Sequence, residues 1–142
     1  MNCAKEKIVI PVYTSITQEG SLSQQQRKEI AEAVTKIHVD ATGAPRSFVN
    51  VRFFTYPAGN NFRGGAEFAT AYLGGTIRAG RDLATKQKML QELVAMMQRI
   101  GKLPADEVAV FVGDISADQV IEKGAILPQP GQEKEWLKTH AA

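Results

Sequence analysis

A strand-like run, an amphipathic helix and a second strand-like run follow one another twice along this chain, and the doubled pattern limits its fold more than any other feature. The first unit opens with Lys7-Ile8-Val9-Ile10-Pro11-Val12-Tyr13-Thr14-Ser15-Ile16, apolar enough to be a buried strand. Ser23 followed by Gln26 has the spacing of a capping box, which predicts a helix running to about Ala41. Ile30, Val34, Ile37 and Ala41 form its apolar stripe, with His38 beside it, while Lys28, Glu29, Glu32 and Lys36 face water. Thr42-Gly43-Ala44-Pro45 stops it, and Phe48 to Thr55, rich in β-branched and aromatic residues, reads as the second strand. After the turn-rich loop from Pro57 to Gly65 the pattern restarts. Thr70 to Ile77 is a short strand despite Gly74-Gly75, residues 82–101 are helical with Leu90, Leu93, Met97 and Ile100 inward, and Val108 to Val112 is a strand. Both connections are long enough for parallel pairing. The expected fold is therefore α/β (α+β): tandem β-α-β units, residues 11–55 and 70–115, forming a four-stranded mixed sheet with two helices on one face.

Such a sheet leaves its second face uncovered. Val49, Val51 and Phe53 point one way and Phe48 and Phe54 the other; Phe111 likewise opposes Val108, Val110 and Val112. With no helix left for the second face, oligomerisation is the economical cover. The tail, whose Pro128 and Pro130 exclude helix at first and which ends at Trp136-Leu137, suits wrapping over a neighbouring subunit.

Charge and cysteine usage narrow the partners. Basic and acidic residues nearly cancel, to a formal +2, and they are scattered, so neither nucleic acid nor an anionic membrane is indicated. Cys3 is the only cysteine and no Cys/His spacing suggests zinc, so we expect no metal, no organic cofactor and a reduced, cytoplasmic setting. The first ten residues hold too short an apolar run for a signal peptide. Pro11 remains the anomaly. A proline inside a strand donates no ladder hydrogen bond, which fits an edge or a bulge, or else a position where chemistry requires proline.

Several motifs now fall in one order: the paired units starting at a proline, His38, Pro57-Ala58-Gly59-Asn60 with Phe62 and Gly64-Gly65, Arg78-Ala79-Gly80-Arg81, Glu122-Lys123-Gly124, and Leu127-Pro128-Gln129-Pro130-Gly131 with Glu135-Trp136. Together they resemble the tautomerase superfamily and, within it, the cis-3-chloroacrylic acid dehalogenases. The resemblance runs from Pro11 to about Leu137 and implies a homotrimer with the sheets facing inward. Residues 1–10 are then an extension before a single domain of residues 11–142. It further implies that Pro11 is the catalytic proline, that Arg78 and Arg81 hold a small carboxylate substrate, that His38 assists, and that Glu122 positions or activates water. Phe111 stands at the position of a family tyrosine.

The arginine fork suits a carboxylate because it donates two parallel charged hydrogen bonds. The departures are chemical. Pro11 within a chain is an amide, with its lone pair delocalised, and can carry no proton; Phe111 lacks the hydroxyl that would bond water. The expected activity is thus keto-enol tautomerisation of a 2-oxo acid, or hydration or dehalogenation of an unsaturated acid, provided Pro11 is exposed as an amine. The alternative is a non-catalytic or proline-independent trimer that keeps the carboxylate pocket. Strand pairing by Ile8, Val9 and Ile10 would favour the alternative, since the leader would then be built into the fold.

Overall fold

The computed structural model describes residues 10–140. The element order is β1 (Val12–Gln18), α1 (Gln24–Thr42), β2 (Asn50–Tyr56), a small hairpin β3 (Phe62–Arg63) and β4 (Ala66–Glu67), β5 (Ala71–Arg78), α2 (Leu83–Gly101), β6 (Val108–Ile115), a second small hairpin β7 (Ile121–Glu122) and β8 (Ala125–Ile126), and α3 (Glu133–His140). The main sheet has the order β2-β1-β5-β6. β1 pairs parallel with β2 and β5 parallel with β6, while β1 and β5 join the two units antiparallel. This is the expected α+β fold of two tandem β-α-β units.

Local chemistry fixes the helices where the sequence placed them. Ser23 accepts from the Gln26 amide, and the Gln26 side chain accepts in return from the Ser23 amide, so two N-terminal donors of α1 are satisfied. Gly43 ends α1 in the left-handed region at φ 73°, open to glycine without a Cβ penalty. Asp82 caps α2 by accepting from Thr85.

The main core lies between these helices and the sheet. Ile30 and Val34 of α1 and Met89, Leu93, Met96 and Met97 of α2 are buried against Tyr13, Leu73 and Ile77. Val51, Phe53, Val108, Val110 and Val112 pack around them, which is the face the alternation assigned. Each fully buried apolar side chain contributes about 1.5–3 kcal/mol by leaving water. The inner face of α2 is centred on Met89 and Met96 as well as Leu93 and Met97; Leu90 sits at its margin.

Two expectations need correction. The first strand begins at Val12, so Pro11 precedes the ladder and costs it no hydrogen bond; its carbonyl accepts from Asn50. Lys7, Ile8 and Val9 lie outside the described residues, and Ile10 is in no strand. Phe48 belongs not to β2 but to a 3-10 turn over Arg46–Phe48, and it is fully buried. The tail packs on its own chain in a second cluster: Trp136, Leu127 and Ala117 close over Phe48, with Ile10 and Leu137 at its edge. The glycine pair in β5, expected within a strand, is demanded by packing. A Cβ at Gly75 would lie 2.5 Å from the Tyr13 ring, and one at Gly74 would lie 2.4 Å from that of Phe111.

Candidate active site

One end of the sheet collects the chemistry. β1 starts there, α1 runs back so that its last turns return there, and β5, being antiparallel to β1, ends there at Arg78. Pro11, His38, Arg78 and Arg81 all reach this end from different elements.

His38 is completely buried rather than lying beside its stripe. Its Nδ1 is 2.8 Å from the Tyr13 hydroxyl. Tyr13 lies opposite Gly75 in the ladder, and the missing side chain there leaves room for its ring. Burial raises the pKa of the Tyr13 phenol, so it keeps its proton. Burial, and then the positive charges of Arg81 and Arg78, push the His38 pKa down to about 4, so its ring is neutral at pH 7. The buried phenol must donate, and Nδ1 is its acceptor; the His38 proton therefore sits on Nε2. Nε2 is buried and has no acceptor among the described residues. It is a neutral donor waiting for an oxygen.

The two arginines differ. Arg78 is fully buried under the tail, with Nη1 donating to the Pro128 carbonyl at 2.8 Å and Nη2 to Glu133 Oε1 at 3.1 Å. Its guanidinium lies 5.3 Å from the centre of the Phe48 ring, within cation–π range. Arg81, half-buried at the loop into α2, donates through Nη1 to the Arg78 carbonyl at 2.7 Å. Its Nη2 is buried with no partner among the described residues. Burial and the neighbouring Arg78 charge lower its pKa, but a guanidinium keeps its proton throughout the working range.

Glu122, on β7, is nearly buried, and its Oε1 accepts from the Ile10 amide at 3.1 Å. It therefore sits beside the peptide that blocks Pro11. Pro11 itself is buried, and with Ile10 attached its nitrogen is an amide. Phe111 lies elsewhere, on the open face, level with Gly74 and thence Thr14, three residues or about 10 Å along the strand from Pro11. It is 56% exposed. Three participants escaped the sequence reading: Tyr13, Glu133 and the Ile10 amide. Alternation would have turned Tyr13 inward, on the side of α1; nothing in sequence pairs Glu133 with Arg78. Among the described residues no group of His, Cys, Asp or Glu could hold a metal ion, and no helix is long and apolar enough to cross a membrane.

The fold is met in known proteins. The family model described as "Putative oxalocrotonate tautomerase enzyme" matches residues 10–141. The chain belongs to the tautomerase superfamily. A solved structure named native Ps01740 is 38% identical, covers 79% of this chain and all of its own, and superposes with a TM-score of 0.77. N1, described as a member of the cis-3-chloroacrylic acid dehalogenase family, is 32% identical over 91% of this chain and 92% of its own, with a TM-score of 0.85. A fused 4-OT described as a wild-type asymmetric trimer is 22% identical, covers 82% of this chain and 95% of its own, and shares the fold at a TM-score of 0.76. No functionally curated protein matches the sequence. The superfamily resemblance drawn from the motifs is thus established.

Proposed function

We propose that this chain acts on a small carboxylate, as a tautomerase of a 2-oxo acid or a hydratase or dehalogenase of an unsaturated acid, when the Pro11 nitrogen is free. The observation that supports this reading is the pair of buried donors without acceptors, His38 Nε2 and Arg81 Nη2, at the end of the sheet where Pro11 lies. Arg81 receives the carboxylate; neutral His38 donates to a carbonyl or carboxylate oxygen and stabilises charge that develops there. Pro11, as a secondary amine, moves the proton to or from carbon, and Glu122 orients water where hydration occurs. Tautomerisation is the less demanding reaction, because it needs neither that water nor the hydroxyl that Phe111 lacks.

The test compares the full chain with a form beginning at Pro11, using the ketonisation of an aryl pyruvate enol followed by absorbance. The form beginning at Pro11 should be faster by about 10²–10⁴, the usual range for a positioned acid–base group, and should lose that gain when its Pro11 is replaced by Ala. A second reading, chemistry or binding without the proline, is favoured by one contact: the Ile10 amide sits on Glu122, so the leader occupies the site's own acid. Equal rates in the two forms, falling together in His38→Ala and Glu122→Ala, would select it.

The assembly belongs to the same proposal. The open face carries Ile16, Phe54 and Phe111, with Phe54 52% exposed, directly across the ladder from Ile16. Apolar side chains grouped on a sheet face call for a cover. A homotrimer with these faces inward supplies it, as the trimer of the fused 4-OT suggests by its shared fold. Phe54→Glu with Phe111→Glu should shift the sedimentation coefficient to that of a single chain; an unchanged value would count against the inward-facing arrangement.

A further inference from the structure

Two arginines three residues apart would ordinarily make a doubly positive seat, suited to a dianion or to a carboxylate gripped from both sides. Here one of them is already taken. Glu133 is buried, and its carboxylate is held at three points: Arg78 Nη2 at 3.1 Å and the Gly131 amide at 2.9 Å and 3.0 Å from its two oxygens. Arg78 is further tied to the Pro128 carbonyl, so both of its terminal nitrogens are spent on the tail, while its buried Nε has no partner among the described residues. Glu133 also opens α3, where the helix dipole favours negative charge. An external carboxylate reaching Arg78 would have to evict an anion that the backbone itself fixes.

Resting on the small-carboxylate reading, we infer that Glu133 is a specificity-determining residue: an internal carboxylate that fills the Arg78 half of the twin-arginine seat and leaves Arg81 to receive a monoanion. Charge counting agrees. Arg78 and Glu133 cancel, so Arg81 contributes a single uncompensated positive charge with a free Nη2. The other acidic groups nearby are engaged elsewhere: Asp114 pairs with Lys86 at 2.8 Å, Asp82 accepts from the Thr85 amide, and Glu122 accepts from Ile10. A second carboxylate on the ligand meets on Arg78 a charge that Glu133 already balances. Glu133→Gln keeps the shape and removes the charge, turning the seat doubly positive.

Binding of pyruvate and of malonate is measured by calorimetry on the full chain, wild type and Glu133→Gln, with Arg81→Gln as control. The wild type should prefer pyruvate and lose it at least tenfold in Arg81→Gln; Glu133→Gln should gain malonate affinity at least tenfold over wild type. If the wild type binds pyruvate but Glu133→Gln gains nothing for malonate, the internal-carboxylate assignment is overturned and the small-carboxylate reading survives. If only Glu133→Gln binds, and only malonate, the assignment holds and the reading of the wild-type site fails. No binding by either protein overturns both. Should Glu133→Gln fail to fold by itself, the gain is read as malonate-dependent recovery of the Trp136 emission, and absence of recovery overturns the assignment.

Discussion

Arg78→Met should lower the unfolding free energy by about 3–5 kcal/mol, the cost of removing one partner from a buried ion pair. The methionine fills much of the volume, so the loss is chiefly electrostatic. Glu133 would keep the Gly131 amide but lose its cation, and the Pro128 carbonyl would lose its donor. The Phe48 ring would also lose the guanidinium 5.3 Å from its centre. Burial works against the Glu133 charge, yet the amides of Gly131 and of Glu133 itself, with Arg78, outweigh it and hold the carboxyl below its ordinary range. Without Arg78 that balance tips. Urea unfolding read through Trp136, the only tryptophan, reports on this corner because the indole donates to the Ile126 carbonyl at 2.8 Å and packs in the same cluster.

The double variant separates pairing from packing. If the pair is the cause, Arg78→Met with Glu133→Gln should cost less than the sum of the two single changes, by about 1–3 kcal/mol of coupling. Additive losses would mean that the tail is held by Trp136, Leu127 and the Pro128 carbonyl, and that the ion pair is incidental. The result bears on function as well, since the Arg78 guanidinium sits behind Arg81, whose Nη1 is fixed by the Arg78 carbonyl.

Local chemistry was legible in the sequence and distant pairing was not. Ser23 and Gln26, or Gly43 after Thr42, act within one turn of helix, so their spacing alone carries the meaning. The alternation that sent Val110 inward and Phe111 outward is equally local, and the uncovered face followed from it. By contrast, Ile10 meets Glu122 across 112 residues and Arg78 meets Glu133 across 55, and no periodicity links such positions. The family motifs implied Pro11, His38, Arg78, Arg81 and Glu122 as a set, but not that Arg78 pairs with Glu133. The start of the first strand was misjudged for a physical reason. Ile10 and Pro11 continue an apolar run with strand propensity, but propensity cannot tell where pairing begins; β1 starts at Val12, where β2 and β5 supply partners on both sides.

Acid should weaken this protein well above the range in which carboxylates titrate, through His38. Its folded pKa of about 4 lies below the ordinary 6.5, so between those values the unfolded chain binds a proton that the folded chain refuses. Stability rises with pH wherever the unfolded state binds more protons; it is therefore complete above about pH 6.5 and falls as the pH drops towards 4. For a ring with no exposed surface the loss on going from pH 7 to 4.5 is about 2–3 kcal/mol. Glu133, whose carboxyl is held below its ordinary 4.5, adds its own loss only at lower pH, which keeps the two windows apart. His38→Asn preserves a polar partner for the Tyr13 hydroxyl and cannot titrate, so its stability should be flat over the interval where the wild type declines. Measured by urea unfolding at one fixed protein concentration, an equal decline in both proteins would place the acid sensitivity elsewhere. It would also mean that burial does not hold the ring neutral, because a ring titrating at its ordinary value would become an imidazolium facing Arg81 and Arg78 as the pH falls just below neutrality, and an acid rather than an electrostatic anchor for the substrate's oxygen.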